Sequence, residues 1–244
     1  MTPDTTWIEP EIASAEDLRK LIAPVRYVLW DLDGPMCRLF AGHPAPKVAH
    51  GLVTTVERAG QPELLTMKER LLKDPHAMLT GINRRHPNSD LLTELEEWLT
   101  RQELVAVPGA FPTPHADPLI RKWSALGVQF AVTTNNSARA AAAYVDTRRL
   151  ADCFPYIIGR TRDLHLMKPH PHSLLQALDV MDANPSEALM VGDAPTDYAA
   201  ARAADVRFLG YAGNRPKVVA LRKAGAEPSC IVRSLKDVWD ALTS

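Results

Sequence analysis

Cysteine is scarce in this 244-residue chain: Cys37, Cys153 and Cys230 are an odd number at wide spacing. They make neither a disulfide framework nor a zinc-ligand pattern, so a reducing, cytoplasmic setting is expected. An excess of one charge is also missing. Lys and Arg total 28 against 29 Asp and Glu, a formal net charge of -1, and without a global positive field no nucleic-acid partner is expected. No stretch is apolar enough to span a bilayer, and residues Met1 to Glu11 carry Asp4, Glu9 and Glu11 where a leader would need an apolar core. The expectation is therefore no signal peptide and no membrane anchor. Internal repeats and low-complexity linkers are absent as well.

What the chain does contain is a set of short apolar runs, each ending in small polar residues. Tyr27-Val28-Leu29-Trp30 runs into Asp31-Leu32-Asp33-Gly34, and Val128 to Thr133 runs into Thr134-Asn135. Ala188-Leu189-Met190-Val191 leads to Gly192-Asp193, with Asp197 four residues on. Such runs read as buried strands, and polar residues at the carboxyl ends of parallel strands mark the ligand edge of an open α/β sheet. Two acids two residues apart at that edge would repel unless neutralised, and a hard divalent cation that prefers oxygen ligands is the simplest neutraliser. Taken singly, Asp31 to Gly34 also fits a strand-ending turn, and Lys168-Pro169 a surface loop.

Between these runs the pattern is organised. Ser14 and Asp17 are placed as a capping box for a short helix after a loose arm within residues 1 to 24. Lys47 to Ala59, Glu63 to Lys73, Pro75 to Arg85 and Ser89 to Glu103 read as helices separated by Gly60-Gln61-Pro62, Asp74-Pro75 and His86-Pro87-Asn88. After Pro108-Gly109, helix and strand patterns alternate, with Tyr156 to Ile158 and Val206 to Leu209 as further strands. The expected fold is α/β: a doubly wound parallel five-stranded sheet, Rossmann-like, built from residues 1–37 and 108–244, with residues 38–107 inserted as a helical cap above its carboxyl edge.

The four motifs Asp31-Leu32-Asp33-Gly34, Thr134-Asn135, Lys168-Pro169-His170-Pro171 and Gly192-Asp193 to Asp197 resemble, in order and spacing, those of the haloacid dehalogenase-like hydrolases. The resemblance covers roughly residues 25 to 240 and is to the capped, phosphoglycolate phosphatase-like subgroup. One departure stands inside the first motif, where the family usually has Thr then Leu and this chain has Pro35 then Met36; proline removes a backbone donor.

The resemblance implies a Mg²⁺-dependent phosphatase acting on a small phosphomonoester, working as a monomer or homodimer. In it, Asp31 is the nucleophile that forms an aspartyl-phosphate and Asp33 the general acid/base. Lys168 stabilises the transferring group, and Thr134 and Asn135 donate to phosphoryl oxygens. Asp31, Asp33 and Asp193 are the metal group, with Asp197 behind them. Asp197 equally fits an acid at a helix N-terminus, and Lys168 reads as the only lysine near these segments outside the cap. Sugar phosphomutase, phosphonate hydrolase and a catalytically silent phosphate-binding protein are the alternatives, while dehalogenation fits poorly with Asp33 and Asp193. Arg38, His43, Lys47, Arg84 and Arg85 are candidates for a second anionic group, although long basic side chains are commonly just solvated. His165, His170 and His172 lack further ligands at metal spacing, and Cys37 reads as a small apolar filler.

Overall fold

The computed structural model describes residues 11–87 and 89–243; most of the arm expected within residues 1 to 24 lies outside them. Helix α1 (Ala15–Ile22) starts at the anticipated capping box. Ser14 Oγ accepts from the Asp17 N–H at 3.1 Å and Asp17 Oδ2 accepts from the Ser14 N–H at 2.9 Å. Strand β1 (Tyr27–Trp30) follows, then the two-residue strand β2 (Cys37–Arg38) and helices α2 (Ala45–Arg58), α3 (Pro75–Arg85) and α4 (Asp90–Ala106). Strand β3 (Phe111–Pro112) returns antiparallel to β2, closing a small ribbon at the root of the insertion. Next come α5 (Ala116–Ala125), β4 (Gln129–Thr133), α6 (Ala138–Thr147), β5 (Tyr156–Ile158), α7 (His172–Val180) and β6 (Ala188–Gly192). The chain continues through α8 (Pro195–Ala203), β7 (Arg207–Tyr211), α9 (Arg215–Lys223), β8 (Ile231–Val232) and α10 (Leu235–Thr243).

The main sheet is parallel, in the order β5-β4-β1-β6-β7-β8. It has six strands where five were expected. The sixth, β8, is two residues long, too short for any periodic signal to reveal it. The central strands are apolar without alternation because both faces are covered. Val28 and Trp30 of β1 pack with Leu18, Trp123, Tyr144 and Val238 from α1, α5, α6 and α10. Leu29 points the other way, among Leu174, Ala200 and Leu221 of α7, α8 and α9. Burial on both faces is what a parallel, doubly wound sheet gives its central strands.

The inserted helices have a hydrophobic cluster of their own, including Leu52, Leu79, Ile82, Leu95 and Leu99, which Leu164 and Met167 join from the loop before α7. The helix expected over Glu63 to Lys73 is absent. That stretch instead makes two single turns, Pro62–Leu64 and Glu69–Leu71. The Glu69 carboxylate accepts from both the backbone N–H (2.9 Å) and hydroxyl (2.8 Å) of Thr66, and local side-chain bonds of this kind compete with helical ones.

Candidate active site

Strand order reverses at β1, whose neighbours are β4 on one side and β6 on the other. Open α/β sheets bind ligands at such a switch point. Asp31 leaves β1 there, its N–H donating to Val191 O of β6 at 2.9 Å. Thr134 leaves β4 and Asp193 leaves β6. Together with Asp33, Asn135, Lys168 and Asp197, these residues line one cavity of about 540 Å³ beneath α3. The sequence candidates therefore converge.

Gly34 shows why this turn tolerates no side chain. Its φ is +126°, and a Cβ would overlap the Asp193 carboxylate. The Pro35 departure is absorbed by neighbours. The Gly34 N–H donates to Cys37 O (2.6 Å), the Thr113 hydroxyl to Gly34 O (2.6 Å), and the Thr113 N–H to Met36 O (3.0 Å). Cys37 is fully buried in the main core, where burial pushes its thiol up.

Lys168 is the centre of the electrostatics. Its ammonium lies 2.9 Å from Asp31 Oδ1 and 2.6 Å from Asp197 Oδ1, and it donates to Thr133 O at 2.9 Å. Three acceptors use its three donors. The Lys168–Pro169 peptide is cis. Its loop is held by Asn135, whose Oδ1 accepts from the Lys168 N–H (2.8 Å) and whose Nδ2 donates to Lys168 O (3.0 Å). Asn135 thus spends its side chain on placing the lysine. The Thr134 hydroxyl donates to Asn136 Oδ1 at 3.2 Å.

Asp197 takes the helix N-terminal place that its sequence position allowed. Its Oδ2 accepts from the N–H groups of Asp193 and Ala194, each at 3.0 Å, at the start of α8, while its other oxygen faces Lys168. Asp33 stands apart from the other acids, its Oδ1 accepting from the Leu39 N–H at 2.8 Å. Burial pushes the carboxyl of Asp33 up to about 6, against the lowering effect of that hydrogen bond, and the Asp31 charge adds to the rise. Burial likewise raises Asp31 and Asp193 to about 6 each, with Lys168 and Lys217 respectively acting in the opposite direction. Burial works against the charge on Lys168, but Asp197 and Asp31 outweigh it and hold the pKa above the ordinary value.

Asp31, Asp193 and Asp197 each offer a carboxylate oxygen within 4.8 Å of the others. A group of hard, anionic oxygens of this size suits a divalent cation of the magnesium class. The Asp33 side chain is not in this group.

Of the five basic candidates for a second anionic group, Arg84 alone lines the cavity among the described residues. Arg38 lies over the Phe111 ring at 4.8 Å, and His43 Nε2 is 2.9 Å from Gln102 Oε1. Lys47 is exposed. Arg85 is tied back to Glu69 (2.6 Å) and to Leu64 O (2.5 Å). Lys73 and His76, which the sequence did not single out, line the cavity instead. Lys168 is also not alone near these segments, because Lys217 on α9 reaches Asp193. A positional signal existed: Lys217 follows a strand's carboxyl end, as the other site residues do.

Among known proteins, phosphoglycolate phosphatase of Salmonella typhi is 32% identical over 140 residues, 57% of this chain and 54% of the relative. The chain thus spans about half the length of the curated relatives it matches. The CbbY structure from Rhodobacter sphaeroides in complex with phosphate superposes with TM-score 0.64 at 19% identity, covering 90% of this chain and 100% of that one. A hydrolase from Pseudomonas syringae gives 0.65 at 19% identity, covering 90% and 98%. These likenesses establish the shared fold. The family model for haloacid dehalogenase-like hydrolase matches residues 25–205, and the chain therefore belongs to the haloacid dehalogenase-like hydrolases.

Proposed function

We propose that this protein is a divalent-metal-dependent phosphatase, with Mg²⁺ as its metal, acting on a small phosphomonoester that carries a second anionic group. The observation that carries the reading is the position of Lys168, fixed between Asp31 and Asp197 inside the cavity at the strand switch point.

In the first half-reaction an Asp31 oxygen attacks phosphorus, and the bond from phosphorus to the ester oxygen breaks as Asp33 gives that oxygen its proton. The raised pKa of Asp33 suits it to hold the proton near neutral pH. In the second, Asp33 takes a proton from water as the water oxygen bonds to phosphorus, releasing phosphate and restoring the Asp31 carboxylate. Lys168 offsets the charge on Asp31, and Asp197 keeps Lys168 and the Asp193 backbone in place. Asp31 and Asp193 would hold the metal, which when bound supplies charge neutralisation for nucleophile and phosphoryl oxygens. The Asp33 side chain, turned toward Leu39, is left for proton transfer.

The wall contributed by the insertion supports the substrate class. Lys73, His76 and Arg84 bring cationic or protonatable groups to the cavity, with Asp74 beside them. The Salmonella typhi relative is a phosphoglycolate phosphatase, and a carboxylate on the leaving group matches such a wall. Residues 38–107 then act as a cap that reads the leaving group while the sheet edge performs the chemistry. The test is phosphate release from phosphoglycolate and from an aryl phosphate, with Mg²⁺ and with excess chelator, by parent and Asp31→Asn protein. The expected result is Mg²⁺-dependent release that Asp31→Asn abolishes. Turnover that survives chelation or the Asn substitution would refute the mechanism.

A further inference from the structure

Among the described residues, two ammonium groups contact the acids of the metal group: Lys168 meets Asp31 and Asp197, and Lys217 meets Asp193. The two lysines are not equivalent. The Lys168 side chain is 2% exposed and bound to three acceptors. The Lys217 side chain is 39% exposed and meets the acids through Asp193 Oδ2. Its backbone is anchored, since the Lys217 N–H donates to Asn214 Oδ1 at 3.0 Å in the first turn of α9, so the ammonium can move on its four-carbon stem while the helix stays still. Beside it lies a second cavity of about 280 Å³, lined by Lys217 with Gly34, Tyr211, Gly213 and Asn214, which gives that stem somewhere to go.

From this geometry we infer that Lys217 is a built-in counter-ion for Asp193, holding that carboxylate in place while the metal site is empty and withdrawing into the neighbouring cavity when a divalent cation binds. The inference rests on the reading that Asp193 helps to hold the metal. An ammonium and a metal on one carboxylate repel each other; Lys168 stays beside Asp31 because it is buried and bound to two further acceptors, whereas the part-exposed Lys217 can leave Asp193, so it is Lys217 that competes with the metal. The competition has a purpose in physical terms. An unpaired buried carboxylate is costly, and Lys217 relieves that cost in the metal-free protein, at the expense of metal affinity. Lys217 is thus a positioning residue for a ligand, not a catalytic one.

The experiment is a titration of the metal-free full chain with Mn²⁺, followed by electron paramagnetic resonance of the free ion and by calorimetry. It uses the parent, Lys217→Met, Lys217→Gln, Lys217→Arg and Asp193→Asn proteins. Removing the competing charge should tighten Mn²⁺ binding by up to about fivefold in both the Met and Gln variants, the scale of one partly exposed ion pair. Lys217→Arg, which keeps the charge, should stay near the parent value. Ligand linkage predicts a matching readout: the rise in melting temperature on adding Mn²⁺ should be larger for Lys217→Met than for the parent. Unchanged or weaker binding in the Met and Gln variants, with the parent still binding through Asp193, would overturn the counter-ion role alone. Parent binding that Asp193→Asn leaves intact would overturn the metal reading itself, and the counter-ion role with it.

Discussion

Arg160 and Glu103 form an ion pair in which neither side chain reaches solvent, with Nη1 2.8 Å from Oε1. Burial alone would raise the Glu103 carboxyl, but Arg160 and then His76 outweigh it and hold the carboxyl well below its usual range. The pair joins the insertion to the sheet edge. Arg160 also donates to Thr100 Oγ1 (3.1 Å) on α4 and to Asn135 O (3.0 Å), while Glu103 accepts from the Ser137 N–H at 2.8 Å. Glu103 Oε1 is 3.0 Å from His76 Nε2, on the cavity wall.

Truncating Arg160 leaves Glu103 buried with only the His76 ring beside it, whereas truncating Glu103 leaves Arg160 its ion pair with Glu96 at 3.0 Å. Arg160→Met should therefore cost about 3–5 kcal/mol of stability, and Glu103→Leu less. The Arg160→Met/Glu103→Leu double variant should lose much less than the sum of the two single changes. Denaturant unfolding of all three proteins checks this, and additive losses would mean that the pair is not coupled.

Asp33→Asn retains an oxygen for the Leu39 N–H and removes the proton that the mechanism needs. Turnover should fall by about 10² to 10⁴, with the melting temperature little changed. Steady-state phosphate release measures the first quantity and thermal unfolding the second. A fall in activity matched by loss of fold would instead assign Asp33 to the loop.

The adjacent arginines of α3 should separate cleanly. Arg84→Ala is expected to raise KM for a substrate with a second anionic group and to spare acetyl phosphate, because Arg84 lines the cavity. Arg85→Ala should leave the ratio of the two substrates unchanged and lower stability, because its guanidinium is committed to Glu69. Kinetics on both substrates with both variants decides between these roles.

The same ion pair sets a pH dependence. The hydrogen bonds from Arg85 hold the Glu69 carboxyl down at about 2, from an ordinary value of 4.5. A carboxyl lowered in the folded state contributes its full stability above the unfolded value and loses it as pH falls toward the folded one. The melting-temperature gap between parent and Glu69→Gln should thus be widest above about pH 5 and narrow progressively toward pH 3. A gap independent of pH would show that packing, and not charge, is what Glu69 contributes.

Local order in the chain was enough to determine much of this protein. The apolar runs ending at Asp31, Thr134 and Asp193 are contiguous, and strand burial depends on the residues of the run itself. The Ser14–Asp17 box closes over three residues, and the spacing from Asp193 to Asp197 already contains the start of a helix. The doubly wound sheet and the placing of Asp31, Thr134 and Asp193 at its carboxyl edge follow from such short-range patterns, whereas Lys168 joined them only through the resemblance of its motif. Tertiary structure alone decided what needs a distant partner. Lys217 meets Asp193 across 24 residues and Arg160 meets Glu103 across 57, and in the linear chain each reads as an ordinary solvated cation. Arg84 and Arg85 are neighbours in sequence but point to different fates, because a helix turns about 100° per residue. Strand β8 exists only because β7 offers it an edge, and the turn at Glu69 prevailed over the helical pattern because Thr66 and Arg85 both claim its carboxylate. Charge pairing and edge pairing depend on separation in space, which only the folded chain sets.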